Sequence, residues 1–125
     1  MKSARSRDLA RSWDRLRKTA QEAQTGLSWA ELARTYETLE SVLLDSIDRA
    51  YAIGARSLPR SELKRILVEE KGLPEEHWAP IEKVLEFSEA VRFGGAASAV
   101  EAQARSQLES WVSSAHRASQ ALNRV

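Results

Sequence analysis

Two histidines, His77 and His116, and eighteen Asp and Glu residues are the raw material for acid–base or metal chemistry in this chain of 125 residues. A histidine metal site needs further ligands at helical spacing, as in His-Glu-x-x-His, and neither histidine has them. His77 follows Glu75 and Glu76 and precedes Trp78, which reads as a surface position on a first helical turn. His116, beside Arg117, reads as an exposed or boundary residue of a last helix. Glu69 and Glu70, like Glu75 and Glu76, are sequence neighbours. On a helix such neighbours diverge by about 100°, so they do not converge on one substrate atom. Serines are plentiful, but no Gly-x-Ser-x-Gly elbow is present. Gly94-Gly95 lacks the Lys-Ser/Thr ending of a phosphate loop. With no cysteine, disulfides and thiolate zinc sites are excluded. The expectation is a chain that is not an enzyme, with no catalytic residue, metal, cofactor or small-molecule substrate.

Charge is the more distinctive feature. The net charge is only +1, yet residues 1–18 hold Lys2, Arg5, Arg7, Arg11, Arg15, Arg17 and Lys18 against Asp8 and Asp14. Seven cations less two anions leave +5 there; the other twelve basic and sixteen acidic residues leave −4. Such a split fits a solvated helix face, a nucleic-acid contact or a position next to a membrane. No helix-turn-helix or other nucleic-acid motif accompanies the basic stretch, and the rest is acidic, so nucleic acid is not the expected partner. Clustered Lys and Arg just cytoplasmic of a membrane span obey the positive-inside rule, which makes residues 2–18 a candidate membrane-proximal patch. The chain itself has no run of about 18 apolar residues that could span a bilayer.

Helical periodicity supplies the scaffold. Leu9, Trp13, Leu16, Ala20 and Ala23 recur at three- and four-residue steps, with Asp8 as the expected N-cap and Gly26 as the stop. Residues 1–7 are expected to be a basic, flexible segment. Ser28-Trp29-Ala30-Glu31 matches a capping box, with Leu27 as its staple. Behind it runs the stripe Trp29, Leu32, Tyr36, Leu39, Leu43, Ile47 and Ala50, ending near Gly54. Pro59 suits a first helical position, Leu63, Ile66 and Leu67 make a face, and Lys71-Gly72-Leu73 reads as a left-handed stop. Pro80 interrupts the fourth segment: one turn over 74–78 and then a main helix from Pro80 to Phe93 is expected, a kinked continuous helix being the alternative. Its face is Trp78, Ile81, Val84, Leu85, Ser88 and Val91, and Gly94-Gly95 breaks it. The last stripe is Val100, Ala104, Leu108, Trp111, Ala115, Ala118 and Leu122. Helices are thus placed over about 8–25, 28–53, 59–71, 75–93 and 97–123. The fold expected for 1–125 is a single all-α domain, a compact bundle of about five helices. All four tryptophans fall on the buried faces, where core packing is their expected role.

The order of these features resembles the C-terminal cytosolic region of BatD-type aerotolerance proteins. The residues that carry the likeness are the basic Lys2–Lys18 stretch, Tyr36-x-x-Leu39-Glu40-x-x-Leu43, Leu58-Pro59-Arg60-Ser61-Glu62-Leu63-x-x-x-Leu67, Val91-Arg92-Phe93-Gly94-Gly95 and the final amphipathic helix. They cover the chain from about Ala30 onward, as a pattern. The resemblance implies a non-catalytic interaction module on the cytosolic face of a bacterial inner membrane, following a membrane helix in a longer stress-tolerance protein. It implies von Willebrand A-domain proteins and a MoxR-type AAA+ ATPase as partners. Two other functions fit the residues: a free-standing cytosolic adaptor or chaperone-like bundle, and nucleic-acid binding through the basic first helix.

Overall fold

Ser28 and Glu31 fix the start of the central helix. In the computed structural model Ser28 N–H donates to Glu31 Oε1 at 3.3 Å, and Glu31 N–H donates to Ser28 Oγ at 3.2 Å. Two amides that have no helical acceptor are thereby satisfied. The structure describes residues 4–23, 26–93 and 98–122, and for 4–7, 98 and 99 the backbone alone. Among the described residues five helices form: α1 (Ala4–Glu22), α2 (Trp29–Tyr51), α3 (Arg60–Lys64, continued by a wider π turn over Arg65–Glu70), α4 (Glu75–Phe93) and α5 (Ser98–Leu122). A 3-10 turn, Ala55–Ser57, links α2 to α3, and the described residues hold no strand.

The four long helices form an up-down-up-down bundle. Trp13 on α1 meets Ser46 late on α2, so these two run antiparallel. Arg105 early on α5 reaches Ala23 just past the end of α1, and Glu76 and His77 at the start of α4 lie beside Arg117 and Ala118 late on α5. α5 is therefore antiparallel to both α1 and α4, while α2 and α5 lie parallel across the diagonal, with Tyr36 Oη donating to the Ala104 carbonyl at 2.7 Å. Leu32, Tyr36, Leu39, Leu43 and Ile47 of α2 are completely covered and form one core with Leu16, Leu67, Trp78, Ile81, Leu108 and Ala115.

Several boundaries differ from the sequence expectation. α1 begins at Ala4, so Asp8 lies inside it and is not its N-cap; the Asp8 carbonyl accepts from Ser12 Oγ instead. α1 ends at Glu22, before Gly26. Pro59 precedes the first residue of α3, with its carbonyl accepting from Leu63 N–H at 2.9 Å. α2 ends on Ala52, a left-handed residue with φ 52°, whose N–H donates to the Asp48 carbonyl; Asp48 Oδ1 then accepts from Ala55 N–H. Pro80 does not divide the fourth helix: α4 is continuous over Glu75–Phe93, which is the alternative reading of this segment and the helix placed at 75–93. The proline deprives the Glu76 carbonyl of its donor. Glu76 is exposed, where water can take that carbonyl, and burial of Trp78, Ile81 and Val84 holds both sides of the proline in one helix. The Gly72 stop forms as expected, with φ 73° and Leu73 buried behind it. Gly94-Gly95 lies outside the described residues.

Arg105 is the polar clamp that periodicity could not reveal. Its guanidinium donates to the Leu27 carbonyl at 2.6 Å and the Ala23 carbonyl at 3.2 Å, and meets Glu101 at 3.3 Å. A cation is thus set on the negative end of α1 and across the turn into α2. Arg105→Met keeps the apolar stem and removes the donors. It is expected to cost about 1–2 kcal/mol and lower Tm by about 4–8 °C. Thermal unfolding of that variant against Arg65→Met, a surface change, checks this; equal melting temperatures would deny Arg105 the role.

Candidate functional site: the basic first helix and its groove

α1 has two unlike faces. Trp13, Leu16, Ala20 and Ala23 are buried, and Leu9 packs at their edge. Arg11, Arg15 and Lys18, at steps of four and three, stand exposed in one row on the opposite side. None of the three has an ion pair among the described residues. Arg17 is exposed as well but leans on Asp14 at 3.7 Å, off this row. Arg5 and Arg7 lie on the helical backbone, their side chains outside the description, and Lys2 lies outside the described residues altogether. Of the seven cations in the candidate patch, the structure therefore joins three into one unpaired ridge about 10 Å long.

Beside the ridge an open groove of about 470 Å³ runs between α1 and α2. Arg15 and Arg34 stand on its two rims, Leu16 and Leu27 contribute apolar surface, and Thr19, Thr35 and Thr38 contribute hydroxyls. Thr35 and Thr38 donate to the Glu31 and Arg34 carbonyls of their own helix, at 2.8 and 3.0 Å. Their oxygen lone pairs remain available as acceptors. Arg34, Thr35 and Thr38 were not singled out by periodicity. Their signal is that they flank the core stripe Leu32, Tyr36, Leu39 on one side, a border that polar residues normally occupy.

The histidines and tryptophans sort into different environments. His116 stacks on Trp13 across the α1–α5 contact, with ring centroids 5.1 Å apart. Trp13 Nε1 donates to Ser46 Oγ, which donates onward to the Val42 carbonyl. His77 is in the first turn of α4, as expected, but is half-buried, with Nδ1 covered and unpartnered. Trp13 and Trp78 are core residues, whereas Trp29 and Trp111 are half-buried at its edge. Trp111 stacks on Phe87, and Val112 takes the fully buried place beside it. Among the described residues no three His, Asp or Glu side chains gather where a metal ion could be held. No described helix is long and apolar enough to cross a membrane.

Burial lowers the His116 pKa from its ordinary value of 6.5, the Arg17 charge lowers it further, and Asp14 opposes them. The unfolded chain thus takes up this proton at a higher pH than the folded one. Stability is full above about pH 6.5 and falls as pH drops through 6.5 toward the folded value. Urea unfolding from pH 7.5 to 5 should show a shallower loss in His116→Gln than in the parent; identical slopes would exclude the coupling.

Compared with known families, curated proteins and solved structures, the chain matches no family model, no curated protein and no solved structure, so the BatD-type resemblance rests on the residues that carry it.

Proposed function

We propose that the chain is a non-catalytic protein-interaction domain whose basic first helix lies against an anionic membrane surface. The observation that carries this is the unpaired row Arg11, Arg15, Lys18 on the outer face of α1, in a chain whose remainder is net acidic. Exposed cations are attracted to anionic headgroups by about 1 kcal/mol each near the surface. The acidic remainder is repelled by the same headgroups, and that orients the bundle with α1 toward the bilayer. Following the BatD-type resemblance, the domain belongs to the cytosolic side of a membrane-anchored stress-tolerance protein. Its partners are then von Willebrand A-domain proteins and a MoxR-type AAA+ ATPase.

Vesicle sedimentation tests the membrane contact. The intact chain should pellet with phosphatidylglycerol vesicles and not with phosphatidylcholine vesicles, and added salt should release it. Replacing Arg11, Arg15 and Lys18 together by Gln should weaken binding by about a hundredfold. Equal binding to both lipids, or an unaffected triple variant, would overturn the contact. A salt-sensitive gel shift with duplex DNA, without vesicle binding, would assign the same row to nucleic acid.

The partner assignment is tested separately by mixing the chain with the MoxR-type ATPase and von Willebrand A-domain proteins of its own genome. Co-elution with one of them is expected; a chain that elutes alone from every mixture would remove those partners.

A further inference from the structure

We infer that α1 is a detachable strap: on an anionic bilayer it leaves the bundle and lies in the interface, with Trp13 and Leu16 toward the acyl chains. This rests on the membrane contact proposed above and specifies the conformational change that follows it. In the bundle the row Arg11, Arg15, Lys18 is on the side of α1 opposite Trp13 and Leu16. A bilayer that meets the closed bundle therefore gains the cations alone. Released, the same helix presents both faces, cations to the headgroups and Trp and Leu side chains to the acyl boundary, which is the pattern of an interfacial helix.

The bundle holds α1 less firmly than its other long helices. α2, α4 and α5 each pack on the other two, and α1 is added to one side of that trio, on α2 and α5. Among the described residues α1 buries two large side chains, Trp13 and Leu16, whereas α4 buries Trp78, Ile81, Val84 and Leu85. The seam under α1 is also polar. Ser46 accepts the Trp13 N–H, the His116 ring lies on the Trp13 ring, and Thr35 lines the open groove beside Leu16. These groups stay satisfied when α1 leaves. Ser46 and Thr35 donate to the Val42 and Glu31 carbonyls of their own helix. Arg105 gives up the Ala23 carbonyl but keeps that of Leu27, which precedes α2. The Trp13 indole exchanges Ser46 for a headgroup oxygen, at the level of a bilayer where indoles are enriched. Opening at α1 thus bares a seam already suited to water, while opening at α4 would bare Trp78, Ile81 and Leu85.

Cysteine labelling tests this in the intact chain, which has no cysteine of its own. Ser46→Cys puts a thiol under Trp13, and Ser88→Cys puts one on the fully buried face of α4. Both changes nearly preserve shape, and circular dichroism verifies the folds. With phosphatidylglycerol vesicles the Ser46→Cys thiol should react with a water-soluble maleimide about tenfold faster than in buffer, while Ser88→Cys stays protected. Phosphatidylcholine vesicles should change neither. Val42→Cys, buried one turn earlier on the Ser46 row, should follow Ser46→Cys and serves in its place if that variant does not fold. Vesicle binding with unchanged labelling at both positions of that row would overturn the release while the surface contact stands. Equal acceleration at Ser88→Cys would overturn it too, since the whole bundle would then be opening. A chain that binds no vesicle would remove the contact and the release together.

Discussion

The helix from Trp29 to Tyr51 has to bury one stripe against three other helices at once, and the rest of the bundle is arranged around that requirement. Leu32, Tyr36, Leu39, Leu43 and Ile47 are covered by residues of α1, α4 and α5. A fully buried side chain of this size contributes about 1.5–3 kcal/mol. Five of them in sequence outweigh any single polar contact in the molecule. Tyr36 is the one polar member of the stripe, and its hydroxyl would carry a desolvation cost if it lacked a partner. The Ala104 carbonyl supplies one, and the same burial pushes the phenol above its ordinary pKa of 10. That bond also fixes which level of α5 lies beside which level of α2.

Apolar burial alone would permit several neighbouring registers of four helices, because sliding one by a turn buries nearly the same area. The polar links discriminate among them. Arg105 ties α5 to the α1–α2 turn, Arg92 ties α4 to Glu40 at 2.5 Å, and Trp13 ties α1 to Ser46. Arg60 fastens the short α3 to Glu89 on α4. Exposed ion pairs add little stability by themselves. The Arg92–Glu40 pair and the Arg105 clamp are partly covered, and a shifted register would leave their charges facing the wrong helix.

What could be read before the structure follows from how local each signal is. The capping box at Ser28, the glycine stop at Gly72 and the core stripe of α2 depend on residues a few positions apart, and all three form. Features decided by distant residues were not legible. Asp8 has the chemistry of an N-cap, but α1 extends back to Ala4 and absorbs it. Pro80 has the chemistry of a breaker, but core contacts on both sides of it hold α4 together. Ala52 adopts a left-handed conformation that usually selects glycine, supported by two bonds to Asp48 and its side chain. In α5 the three-and-four alternation allows either Trp111 or Val112 at the centre of the stripe, and the stacking of Trp111 on Phe87 decides for Val112. The basic residues were visible as a cluster, but which of them share a row and which have partners depends on helix phase and on Asp14. The groove was invisible, because Arg15 and Arg34 are brought together only by the antiparallel packing of α1 on α2.

That packing explains why the surfaces with chemical character gather on α1. α2 is enclosed by its three neighbours, and α4 and α5 contribute Trp78, Ile81, Leu85 and Leu108 to the core. α1 is a thinner contributor: among the described residues Trp13 and Leu16 are its only large buried side chains, and Ala20, with Ala23 just past its end, completes the face. Along its seam with α2 it leaves an open groove, in which Leu16 and Leu27 lie beside Arg15, Thr19, Arg34 and Thr38. The same helix carries the cationic row outward and stacks Trp13 on His116 inward. Protonation of His116 therefore acts at the seam between α1 and α5, where its ring lies on Trp13, before it bears on any other contact of the bundle.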